Sequence, residues 1–156
     1  AVLEGADAGE VVERDLSDWY RNLFAPSVTA GILKASQLAG YRSSPVYIRQ
    51  SQHVPMSPEA VRDCMPVFFD LLKAEDDPTV RIVLGHFIFV FIHPFLDGNG
   101  RIARFLMNVM MAAAGQPWTV IKLEQRAAYM AALETASMRE DIRPFAAFLA
   151  ETRAAQ

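Results

Sequence analysis

The run from Thr79 to Ile92 constrains the fold more than any other segment, because Leu84, Phe87, Ile88, Phe89, Val90, Phe91 and Ile92 leave almost no polar face for solvent. Asp77-Pro78 ahead of it supplies a capping side chain followed by a proline at the first helical position, a combination that starts helices. The density of β-branched and aromatic residues would also suit a buried strand, but the length of the run after a clean helix start favours helix. A helix without a polar face belongs at the centre of a bundle. The uncharged stretch Ile82 to Leu96 contains His86 and His93 and is shorter than the roughly 20 apolar residues of a membrane span, so it reads as core.

The rest of the chain is punctuated as helices. Leu16, Tyr20, Leu23 and Phe24 form an apolar stripe over about 11–24, with Pro26 as an expected stop, and a short helix over 32–38 ends at Gly40. Ser57-Pro58-Glu59 caps a helix running to about Lys73, which Pro66 should kink. Ile102, Phe105, Leu106, Val109, Met110 and Ala113 recur at helical spacing until Gly115-Gln116-Pro117, and further helices are predicted over 124–137 and 144–153. One segment breaks the pattern. Val46/Ile48 and Tyr47/Arg49 alternate between prolines and polar turn residues, which predicts a β-hairpin over Val46–Val54. The expected fold class is therefore all-α with one hairpin.

At 156 residues, 52% of them apolar, the chain is the size of one compact domain. A formal net charge of -3 supplies no positive field for nucleic acid or an anionic membrane, so neither is an expected partner and any anion site must be built locally. The lone Cys64 excludes an internal disulfide framework and fits a reducing, cytoplasmic setting. The start Ala1-Val2-Leu3-Glu4-Gly5 has no signal-peptide pattern and reads as a cut edge, with residues 1–10 set apart as a remnant of a helix or linker and 11–156 as the domain proper.

Chemistry concentrates in His93-Pro94-Phe95-Leu96-Asp97-Gly98-Asn99-Gly100-Arg101-Ile102-Ala103-Arg104. A loop that leads into a helix presents unpaired N–H groups at the positive end of the dipole, and Gly98 and Gly100 let the backbone approach an anion closely. Arg101 and Arg104 add two cations three residues apart, with Asn108 four residues further along the same face. Asp97 suits Mg²⁺, which takes one or two carboxylates together with phosphate oxygens. His93 can accept a proton near neutral pH. A base, a metal carboxylate, an anion cradle and charge-stabilising arginines are the parts of a phosphoanhydride-handling site.

This stretch resembles the signature of the Fic family, His-Pro-Phe-x-(Asp/Glu)-Gly-Asn-Gly-Arg-x-x-Arg, and the similarity extends to Gly85-His86-Phe87, Phe105-Leu106-Met107-Asn108 and Gly40-Tyr41-Arg42. The resemblance implies a protein adenylyltransferase that moves AMP from Mg-ATP to a Ser, Thr or Tyr hydroxyl of a target protein. His93 would be the general base, Asp97 the Mg²⁺ ligand, Gly98, Asn99 and Gly100 the phosphate cradle, Arg101 the charge stabiliser and Arg104 the γ-phosphate grip. Pro94 and Phe95 would fix the loop. Asn108 and, more weakly, Tyr129 would contact adenine, and His86 would serve packing or hydrogen bonding rather than zinc, since seven residues separate it from His93.

In this family a flap holds the target segment by strand addition. Here that flap would comprise Val46, Tyr47, Ile48, Arg49, Gln50, Ser51, Gln52, His53 and Val54. Death-on-curing toxins, similar proteins that phosphorylate their targets, have lysine at the position of Gly100, so Gly100 favours adenylyl transfer. Another nucleotide or phosphodiester donor, removal of AMP by the same site, and a non-enzymatic module are the alternative readings. Many Fic proteins also carry an inhibitory helix, in cis or in trans, with the pattern (Ser/Thr)-x-x-x-Glu-(Gly/Asn). Glu4-Gly5 matches its end, so Glu4 would pair with Arg104 and block the γ-phosphate position.

Overall fold

A computed structural model describes residues 8–156, with side chains from Asp15 onward. Six helices account for its regular structure: α1 (Ala8–Thr29), α2 (Pro58–Ala74), α3 (Pro78–Ile92), α4 (Asn99–Ala113), α5 (Arg126–Arg139) and α6 (Arg143–Ala154). Short 3₁₀ turns at Ala35–Leu38 and Leu123–Gln125 join them. Among the described residues no helix is long and apolar enough to cross a membrane.

The local start signals operate as chemistry requires. Ser57 Oγ accepts from the Ala60 N–H at 3.2 Å, and Asp77 Oδ1 accepts from the Thr79 and Val80 N–H groups at 2.8 and 3.2 Å, satisfying donors that a helix start leaves unpaired. The apolar α3 is the axle of the bundle, packing against α2, α4, α5 and α6. Phe89 and His86 on it are fully buried. Through His86, α3 is fixed to three neighbours at once: Nδ1 donates to the Ala103 carbonyl at 3.1 Å, Nε2 accepts from the Tyr129 hydroxyl at 2.9 Å, and the ring stacks on Phe145 with centroids 5.1 Å apart.

Two expectations need correction. Pro26 does not end α1, which continues to Thr29. Phe24 is buried and Val28 packs against the core, so the contacts one turn apart on either side of the proline hold the helix through it. The predicted hairpin over Val46–Val54 is absent: no strand occurs among the described residues. The inside-outside alternation survives, with Val46 and Ile48 half-buried and Tyr47 and Arg49 exposed. A turn at Arg49-Gln50 follows, in which Gln50 takes φ 63° and the Ser51 N–H donates to the Ile48 carbonyl at 3.2 Å. The segment is anchored by side chains instead of a ladder. Arg42 Nη2 donates to the Met56 carbonyl just beyond it, and His53 Nε2 donates to the Phe91 carbonyl at 2.9 Å.

Candidate active site

The loop between α3 and α4 is held from three directions. Asn99, buried at the first turn of α4, closes a ring on Phe95: its Oδ1 accepts from the Phe95 N–H and its Nδ2 donates to the Phe95 carbonyl, both at 2.8 Å. Phe95 stacks on Tyr20 of α1 with centroids 3.8 Å apart, and the Tyr20 hydroxyl donates to the Asp97 carbonyl at 3.2 Å. Gly98 adopts φ 77°, and a Cβ there would stand 2.0 Å from Phe24 Cζ. Only glycine satisfies both that backbone conformation and that approach.

These restraints give the helix start its anion character. The N–H groups of Arg101 and Ile102 are spent on the Gly98 carbonyl, and that of Gly98 on Asp97 Oδ1 at 2.6 Å. The N–H groups of Asn99 and Gly100 make no hydrogen bond among the described residues. Two unpaired donors at the positive end of α4 are open to an anion. Asn99 thus leaves its main-chain N–H open while its side chain shapes the loop.

His93 ends α3 in the left-handed region at φ 55°. Its Nδ1 lies 3.2 Å from the Val90 carbonyl, an acceptor, which fixes the proton on Nδ1 and leaves Nε2 as a base. Burial holds the imidazole below its ordinary pKa, with the Arg42 charge acting in the same direction and the Val90 hydrogen bond opposing both. His93 is therefore neutral and able to accept a proton at physiological pH.

A cavity of about 190 Å³ brings His93 together with Gly100, Arg104, Tyr129 and Glu134, and with Ile48, Ser51 and His53 of the flap segment. Arg104 borders a second cavity too, of about 490 Å³, which Arg101 and the aromatic side chains of Trp19, Phe105 and Trp118 also line. Arg101 lies 4.4 Å above the Phe24 ring and 3.7 Å from Asp97 Oδ2. Phe105 is part-exposed between Trp19 and Trp118 rather than buried in the core as its spacing predicts.

Asp97 is exposed, with Oδ2 engaged only by that loose ion pair. No group of three or more His, Cys, Asp or Glu side chains that could cage a metal occurs among the described residues. This donor set fits Mg²⁺ brought by a nucleotide and held by one carboxylate with phosphate oxygens.

Asn108, expected to contact adenine, borders the larger cavity with its amide engaged by the fold. Its side chain is buried, with Nδ2 donating to the Arg104 and Thr119 carbonyls at 2.9 and 3.0 Å and Oδ1 accepting from the Thr119 N–H at 2.6 Å. It clamps the chain after α4 to the helix. The Tyr129 hydroxyl is likewise committed to His86. Glu4 lies outside the described residues.

One site residue was noted in the sequence only as part of Gly40-Tyr41-Arg42, with no role attached. Arg42, 3% exposed, donates through Nε to the His93 carbonyl at 2.7 Å and through Nη1 to the Ser44 carbonyl at 3.2 Å, while Nη2 reaches the Met56 and Ile92 carbonyls. Its own N–H donates to the Pro94 carbonyl at 2.9 Å. No carboxylate pairs with it among the described residues. A buried cation is tolerated there because carbonyls at the negative end of α3 surround it.

The chain is an all-helical bundle whose central helix ends in a left-handed histidine, followed by a glycine-rich helix start and two arginines. The chain belongs to the Fic/DOC family, whose model matches residues 11–111. It is 42% identical over 114 residues to Protein adenylyltransferase Fic of Nematostella vectensis, covering 70% of this chain and 26% of that protein. With Protein adenylyltransferase fic-1 of Caenorhabditis elegans the identity is 34% over 148 residues, covering 91% of this chain and 27% of that one. The solved structure of Fic-1 from C. elegans superposes with a TM-score of 0.74 at 32% identity, over 90% of this chain and 40% of the other. A Fic family protein from Desulfovibrio desulfuricans G20 superposes with the same TM-score at 25% identity, over 97% and 47% of the two chains. The chain thus spans about a quarter of the length of the curated relatives it matches.

Proposed function

We propose that this chain is the catalytic core of a protein adenylyltransferase, using Mg-ATP as AMP donor and a Ser, Thr or Tyr hydroxyl of a protein as acceptor. The observation that carries the reading is His93: a neutral imidazole with its proton fixed on Nδ1, in one cavity with Gly100 and Arg104. Nε2 takes the proton of the acceptor hydroxyl as its oxygen bonds to the α-phosphorus. The bond from that phosphorus to the bridging oxygen breaks, and pyrophosphate leaves. The unpaired N–H groups of Asn99 and Gly100 would receive phosphate oxygens, and the guanidinium of Arg104 the terminal phosphate. Asp97 would hold Mg²⁺, which neutralises phosphate charge when bound. The segment Val46–Val54 would present the acceptor to the base.

Incubation with Mg²⁺ and ATP labelled at either the α- or the γ-phosphate tests this. Label from the α position alone is expected, and label from γ alone would replace the reading with kinase activity. His93→Ala should abolish transfer with ATP affinity within about threefold of the parent, since a base acts on the chemical step. Arg104→Ala should weaken ATP binding at least about tenfold more than ADP binding. Equal losses for the two nucleotides would remove the γ-phosphate role.

A further inference from the structure

The flap segment lacks a ladder, yet its backbone is fixed at one point by a side chain from another element. Glu134 of α5, half-buried beside the His93 cavity, holds the turn with both carboxylate oxygens: Oε2 accepts from Ser51 Oγ at 2.5 Å and Oε1 from the Gln52 N–H at 2.7 Å. Ser51 Oγ in turn accepts from the His53 N–H at 3.0 Å. With Ser51 N–H bound to the Ile48 carbonyl, three consecutive amides, those of Ser51, Gln52 and His53, are taken. The N–H groups of Val46, Tyr47, Ile48 and Arg49 just before them make no hydrogen bond among the described residues. Val46, Tyr47 and Ile48 precede the turn that begins at Arg49, with Tyr47 82% exposed.

From this division we infer that Glu134 is a positioning residue that latches residues 50–53 against α5, and that an acceptor segment pairs with the edge Val46–Ile48 alone. This rests on the adenylyl-transfer reading and assigns its acceptor surface. The physical reason is that strand addition needs main-chain donors held in extended register. A free three-residue edge supplies them, while a side-chain latch on the adjoining turn sets the register that a second strand sets in a hairpin. A carboxylate suits the task because it accepts from a hydroxyl and an amide at once, and each bond is charge-assisted.

Amide hydrogen exchange and transfer kinetics on the whole chain separate the parts of the inference. The acceptor probe is a set of nine-residue peptides with one central Ser, Thr or Tyr, and the donor is α-labelled ATP with Mg²⁺. In Glu134→Ala the amides of Ser51, Gln52 and His53 should exchange about tenfold faster or more, with α3 and α4 unchanged, because the latch bonds are local. The apparent KM for the best peptide should rise about tenfold while the ATP dissociation constant stays within about twofold. Glu134→Gln keeps an acceptor for Gln52 and should recover part of both effects, and Ser51→Ala should show a partial loss.

Unchanged exchange in Glu134→Ala would overturn the latch. Faster exchange with an unchanged peptide KM would overturn its positioning role. A fall in ATP affinity with unaltered exchange would make Glu134 a nucleotide contact instead. If the parent protein transfers no AMP to any peptide, the adenylyl-transfer reading and the acceptor edge fall together, and the exchange data still decide the latch.

Discussion

His93 occupies a backbone region that costs a non-glycine residue roughly 1–3 kcal/mol unless its surroundings impose it. Here they do, through Arg42 on its carbonyl and Val90 under its ring. Because the imidazole pKa is lowered below 6.5, the base stays unprotonated through neutrality. The acid limb of kcat/KM should therefore have its midpoint below pH 6.5, and a midpoint above pH 7 would contradict this environment. Arg42 contributes both geometry and charge to it. Arg42→Gln should lower kcat about 10- to 100-fold and move the acid limb upward, since a cation that depresses the His93 pKa is gone. Arg42→Lys should lose the forked contacts but leave the limb in place. The loop residues were legible from their order because cradle, carboxylate and arginines sit within twelve positions. The partners of Arg42 were not, since His93 is 51 residues away in the chain.

At the scale of elements, the side-chain caps at helix starts were read correctly, whereas Pro26 as a stop was not. Ser57 and Asp77 cap within three residues of themselves, and that range is visible in a sequence. The error over Val46–Val54 is of the opposite kind: alternation describes one segment, whereas a strand requires a second. Tertiary anchors from Arg42, Phe91 and Glu134 replaced the missing partner. The contact between α1 and the α3–α4 loop was equally unreadable, although a glycine at position 98 marked a demand there. Gly98→Ala should destabilise the fold by at least about 2 kcal/mol in urea unfolding, combining steric overlap with a strained φ. Adding Phe24→Leu to that variant should recover only part of the loss, because the backbone strain remains. Full recovery would show that the overlap with the ring was the whole cost.

The whole molecule depends on one neutral imidazole. His86 joins α3 to α4, α5 and α6, and burial pushes its pKa down to about 4 from 6.5. The unfolded chain thus binds a proton more readily than the folded one between those values. Stability is complete above pH 6.5 and falls as pH drops toward 4. His86 alone should remove about 2 kcal/mol of unfolding free energy between pH 7 and pH 5. His86→Gln should flatten this dependence while lowering stability at pH 7, and an unaltered slope would place the acid sensitivity elsewhere. The two tryptophans of the chain, Trp19 and Trp118, both make edge contacts with Phe105, the neighbour of Arg104 in sequence, and all of them line one cavity. The indole emission of this chain therefore originates beside the arginines assigned to phosphate. Occupancy of that site can be followed by the protein's own fluorescence, with no attached dye.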